Sequence, residues 1–174
     1  PRRVANYFPN FNSTLNMQHI TKWAEPVTMG KAVPEIMRRA FFQLRNGRPG
    51  PVMIEVPLDV MGEDVPDDWV HVPAFKAKSA PDPSDVKEAA ALLAGADHPV
   101  IYAGQGIHYA KAWEELKELA EQWNIPVTTS IEGKSAFPED HPLSLGSGGR
   151  ANSRPVKRYL EESDLILGLG VSFA

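Results

Sequence analysis

Cysteine is absent from the 174 residues, which excludes a disulfide framework and any thiolate-bound zinc and agrees with a reducing, cytoplasmic setting. Positive charge is not in excess either. Eighteen Lys and Arg stand against 22 Asp and Glu, for a net charge of −4, so no basic field exists to hold a polyanion and nucleic acid is not an expected partner. The five histidines are scattered, with no HxxxH pair to clasp a metal from one helix face. No metal site is therefore expected within this chain. No run approaches the roughly 18 apolar residues a membrane helix needs, and no signal peptide is recognisable. The glycine-rich run at 146 to 154 lacks a GK[ST] ending, and GxSxG and GDG are missing from the chain, which leaves a phosphate-loop nucleotidase and a nucleophile elbow unsupported. The chain opens on Pro1 rather than Met and closes on the strand-like LILGLGVSFA. These ends suggest an internal piece of a longer polypeptide.

What is present has an α/β pattern. From Ala32 to Asn46, apolar residues at 33, 36, 37, 40, 41 and 44 follow helical spacing, with Pro34 where a first turn tolerates it. Gly47 and two prolines stop that helix, and Val52 to Val56 reads as a short strand. The first 30 residues are irregular and carry little signal. Residues 62 to 83 are rich in Asp, Pro and Lys without periodicity, the composition of a linker laid along a surface. Asp82 then caps a helix with Pro83 at its first position and Val86, Ala89, Ala90, Leu92 and Leu93 as its apolar face. PVIYAG, IPVTTS and DLILGLG read as strands, separated by a helix from about Tyr109 to Trp123 and a shorter one from Pro155 to Glu162. The order βαβαβ implies a parallel sheet, half of a doubly wound Rossmann-like domain, preceded by the terminal helix and strand of another α/β domain.

Two glycine-rich turns are candidates for ligand contact. In AGQGIHY, Gly104 and Gly106 follow a strand and open a helix, a place where a backbone can approach an anion. Tyr109 stands where a dinucleotide fingerprint wants its third glycine, so a tight turn that binds nothing is the alternative. GSGGRANSR, residues 146 to 154, offers backbone amides with Arg150 or Arg154 for charge, against the alternative of a plain connector. Paired acids such as Glu114 with Glu115 read as solvated helix surface.

ITKW at 20 to 23, AVPEIMRRAF, GRPGPVMIEVPLDV at 47 to 60, HPVIYAGQGI, IPVTTSIEGKSAFPEDHPLSLG and SDLILGLGVSF together resemble the thiamine diphosphate-dependent family of acetolactate synthases and 2-oxoacid decarboxylases. The resemblance implies residues 1–62 as the end of a pyrimidine-binding domain, 63–81 as a linker and 82–174 as the first part of a central domain. It implies a parent enzyme acting on a 2-oxoacid, active as a homodimer or homotetramer. Thiamine diphosphate and Mg2+ would be held by residues outside this chain, so that no catalytic residue falls within it. In acetolactate synthases the arginine matching Arg48 reaches toward bound FAD. Arg48, Gly104, Gln105, Gly106, Ser130 and Ile131 are thus the expected contacts to FAD or another ADP-containing nucleotide, with helix capping or acid pairing as the alternative for Arg48. Four places depart from the synthase pattern that the resemblance implies: Leu58 stands for a lysine, Ser172 for an arginine, Gln18 and His19 for an Arg-Pro pair, and GGRAN at 149 to 152 or thereabouts for a flavin-loop GMHG. A module binding NAD, ADP or coenzyme A, or a purely structural domain, is the competing reading.

Overall fold

The computed structural model describes residues 12–65, 67–149 and 152–173, and the chain divides into two compact units, Pro1–Ala80 and Pro81–Ala174.

The first unit is built on a βαβ crossover. Strand β1 (Trp23–Pro26) follows a short helix α1 (Ser13–Met17), and helix α2 (Val33–Arg45) carries the chain to β2 (Val52–Glu55). The two strands pair in parallel, Trp23 opposite Val52 and Pro26 opposite Glu55. Sequence reading gives the helix and β2 but not β1, because WAEP has four residues, one a proline, and no alternation to mark it. Val27, Ile36 and Val60 form the core, with Trp23, Val33 and Ile54 against it. Of the six apolar positions on α2, Ile36 and Ala40 are buried, whereas Met37, Phe41 and Leu44 face outward. After α3 (Leu58–Met61) the chain returns along α2 as an extended strap. Arg45 donates to the Ala74 carbonyl at 2.8 Å, and Asn46 donates to Phe75 and accepts from the Ala77 amide. Phe75 meets Phe42 edge-on at 5.3 Å. Strap and helix enclose a groove of about 720 Å³ lined by Met37, Phe41, Trp69 and Val72 among others.

The second unit holds α4 (Pro83–Gly95), β3 (Pro99–Ala103), α5 (Gly106–Ala110), α6 (Trp113–Trp123), β4 (Val127–Thr129), β5 (Ser144–Ser147), α7 (Arg154–Glu162) and β6 (Leu165–Leu169). Asp82 caps α4 by accepting from the Ser84 amide at 2.8 Å. All pairings are parallel, in the order β5-β4-β3-β6. The parallel α/β expectation is met, and the sheet gains β5, a strand that SLGS conceals because it lacks branched or aromatic side chains. The expected helix from Tyr109 to Trp123 is two helices. They part at Lys111, which takes the left-handed φ of 57°. Ile101, Ala103, Leu116, Ala120, Ile125, Val127 and Phe137 form the core. The apolar face expected of α4 is mostly outward, since Leu93 alone of its five residues is buried. On α6, Leu116 and Ala120 point inward, while Trp113 and Trp123 are exposed.

Two devices align the strands. At the N-terminal edge, the Asp164 carboxylate accepts from the Asp97 and His98 amides at 2.7 and 2.9 Å, tying the approach to β6 to the approach to β3. On the open face, the Phe173 ring stacks on Tyr102 at 5.8 Å and lies over Gly168, where a Cβ would meet it at 2.5 Å.

Candidate functional site

The strand order reverses at β3. The chain moves from β3 to β4 and β5 on one side, then returns to place β6 on the other. In an open parallel sheet such a reversal leaves a crevice outside the carboxyl ends of the two central strands, the usual ligand position of this architecture. Here it lies between the turn after β3, Gly104–Gln105–Gly106, and the turn after β6 at Gly170.

Both turns press directly on one another. Gly104 donates to the Leu169 carbonyl at 2.8 Å and Gly106 to the Gly170 carbonyl at 2.9 Å. A Cβ on Gly104 would lie 2.3 Å from the Gly170 oxygen, and one on Gly106 would lie 2.6 Å from the Gly170 Cα. Gly170 needs glycine twice over, for that proximity and for its φ of 62°. The two glycines singled out in the sequence therefore serve a close crossing of backbones, and their amides are already spent on β6. Helix α5 has five residues and ends at Lys111, too short for a sizeable macrodipole. The turn keeps the Gln105 side chain in solvent.

The turn after β4 closes the other side. Ser130 donates its amide to Ala103 at 2.8 Å and accepts from the Gly133 amide through its hydroxyl at 3.0 Å. Ile131 is 66% exposed, an apolar surface beside the polar turn. Gly133 is again a close-approach glycine, 2.6 Å from the Ala103 oxygen if it carried a Cβ. His108 joins the two turns. The Trp113 indole donates to its Nδ1 at 2.9 Å, which makes Nε2 the protonated nitrogen, donating to the Lys134 carbonyl at 3.0 Å. The structure thus brings Gly104, Gln105, Gly106, Ser130 and Ile131 to one end of one sheet. In the glycine-rich run, Gly148 donates to Thr129 and Gly149 to Asn152; Arg150 lies outside the described residues, and Arg154 is exposed at the start of α7.

Arg48 belongs to the first unit. It is exposed on the turn after α2, and neither alternative sketched for it is realised there among the described residues. The α2 carbonyls of Gln43 and Asn46 accept instead from the Lys22 ammonium. Sequence reading missed Lys22, whose only signal is its place in ITKW, and Gly170 and Gly133, which stand in unremarkable LGLG and EGK contexts. Leu58, in place of a lysine, is 86% exposed at the start of α3. Among the described residues, no three His, Asp or Glu side chains converge to hold a metal, and no helix is long and apolar enough to cross a membrane.

A parallel sheet reversed between β3 and β6, with glycine turns locked at the reversal, defines a class, and comparison with known proteins gives its family. Residues 86–174 match the model of the thiamine pyrophosphate enzyme central domain. The chain belongs to the thiamine pyrophosphate enzyme family, through that domain. It is 38% identical over 161 residues to the protein named "Probable acetolactate synthase large subunit" of Methanocaldococcus jannaschii, covering 89% of this chain and 27% of that one. It is 36% identical over 157 residues to an acetolactate synthase of Mycobacterium bovis, covering 88% and 25%. The crystal structure of benzoylformate decarboxylase from Polynucleobacter necessarius superposes with a TM-score of 0.76 at 28% identity, over 90% of this chain and 30% of that one. The chain thus spans about a quarter of the length of the curated relatives it matches.

Proposed function

We propose that this chain is an internal portion of a thiamine diphosphate-dependent lyase or synthase acting on a 2-oxoacid, by carboligation as in acetolactate synthases or by decarboxylation. The observation that carries this reading is the central-domain match over 86–174, supported by relatives of both activities. Residues 1–62 are then the end of a pyrimidine-binding domain, 63–81 the linker, and 82–174 the first part of the central domain. Thiamine diphosphate, bound with Mg2+ by residues outside this chain, supplies the electron sink for the carbanion that decarboxylation leaves. This chain's own contribution is architectural, and no catalytic residue is assigned to it. The parent enzyme is cytoplasmic and assembles as a homodimer or homotetramer.

The crevice at the β3–β6 reversal is proposed as the seat of an ADP-containing nucleotide, FAD among them. Because the Gly104 and Gly106 amides are already bonded, the contacts assigned to ligand are the Gln105 side chain, the Ser130 hydroxyl and the Ile131 surface. Arg48 is proposed separately as an anion contact of the first unit, on the ground that it is exposed and no intramolecular bond holds its guanidinium among the described residues.

Activity assays test the main reading. The natural polypeptide containing this chain, supplied with thiamine diphosphate, Mg2+ and pyruvate or benzoylformate, should release carbon dioxide, and the 174-residue chain alone should not. No turnover by the long polypeptide on any 2-oxoacid would overturn it. Calorimetry of the 174-residue chain with FAD, ADP, NAD and coenzyme A tests the crevice; heat with none of them removes the nucleotide.

A further inference from the structure

Lys22 makes a set of contacts that no surface lysine acquires by accident of position. Its backbone amide donates to the Pro51 carbonyl at 2.8 Å, just ahead of β2. Its side chain crosses the GRPG turn: a Cβ on Gly50 would lie 3.0 Å from the Lys22 Cβ, and one on Gly47 would lie 3.8 Å from Nζ. At the far end the ammonium donates to the Gln43 carbonyl at 2.6 Å and to the Asn46 carbonyl. The neighbouring Phe42 carbonyl is taken by the amide and side chain of Asn46.

A helix C-terminus attracts whatever cation is near, because its last carbonyls lack intrahelical partners and carry partial negative charge. Arg48, three residues beyond α2, is such a cation, and its long side chain can fold back onto those oxygens. Lys22, the residue just ahead of β1, already bonds two of the carbonyls there. With Gln43 and Asn46 satisfied, two of the carbonyls nearest Arg48 are already taken, and Arg48 is exposed.

We propose that Lys22 is a positioning residue: it occupies the carbonyls at the end of α2 and clamps the GRPG turn, so that the Arg48 guanidinium remains uncommitted and available to an anion. The value of that availability rests on the reading of Arg48 as an anion contact; the clamp itself does not. Phenylglyoxal, which condenses with free guanidinium groups, tests it on the 174-residue chain, with peptide mass spectrometry following Arg48 and Arg158 as an internal standard. Lys22→Met vacates the two carbonyls, and Arg48 labelling should slow about two- to fivefold, the equivalent of one helix-terminus interaction. Lys22→Arg, which restores a cationic donor, should return the rate to that of the parent. An Arg48 rate that is unchanged or faster in Lys22→Met, with native circular dichroism, overturns the proposal. If that variant does not fold, Lys22→Gln, which keeps an uncharged donor, decides by the same comparison. ADP titration of the parent chain is a separate arm: absence of binding there removes the anion reading of Arg48 and leaves the labelling result standing.

Discussion

A methyl group added at Gly104 would sit 2.3 Å from the Gly170 oxygen and 2.6 Å from the Val171 Cα. Both obstacles are backbone, so no rotamer change relieves them. Gly104→Ala should destabilise the second unit by roughly 1–3 kcal/mol or more, measured as a lower urea midpoint. Phe137, 2% exposed in the core and edge-on to His141 at 5.0 Å, should cost about 3–5 kcal/mol as Phe137→Ala. Asp164 gives a pH signature. The Asp97 amide foremost, then the His98 amide, hold its carboxyl below the usual carboxylate range. With the native value below the unfolded one, the carboxylate stabilises the fold at every pH above that range. The contribution drains away as pH falls through the lowered native value. Asp164→Asn should therefore melt earlier than the parent at about pH 7, and the gap should narrow in acid as the pH is taken progressively below about 4. An equal gap at both would remove the carboxylate from strand alignment.

At the scale of elements, the places where sequence and structure part have local causes. Long periodic segments are legible: α2, α4 and α7 begin and end within a residue or two of their apolar pattern, capping residue and prolines. The break between α5 and α6 is not, because Lys111 is a helix former and nothing in HYAKAW signals a left-handed residue. That mismatch predicts a gain. Lys111→Gly, which removes the Cβ penalty at φ 57°, should raise stability by about 0.5–1 kcal/mol, read from the urea midpoint. β1 and β5 are invisible because short strands inside a parallel sheet depend on neighbours for their definition, and WAEP and SLGS carry no period. The site shows the same division. A run such as AGQG marks a close approach, but the partner, Gly170, lies far along the chain and only the fold reveals that the approach is to a second turn. Lys22 is hidden for the same reason: its carbonyls belong to residues more than twenty positions away.

For the whole molecule, the feature of most consequence is how the strap ends. From Ala74 to Ala77 it is bonded to α2; α4 begins at Pro83. Between lie Lys78, Ser79, Ala80, Pro81 and the capping Asp82, all exposed. Brief trypsin treatment should cut after Lys78 before any other site and yield two resistant fragments, seen by mass spectrometry; early cleavage within α2 or β3 instead would speak against two independently stable units.

Three glycines, 104, 106 and 170, occupy one seam where two passes of the chain cross. Heredity must treat them as one letter. A replacement at any of them jams the crossing whatever the other two become, so compensating changes have no route, and natural drift around the seam should leave all three untouched while the residues flanking them vary.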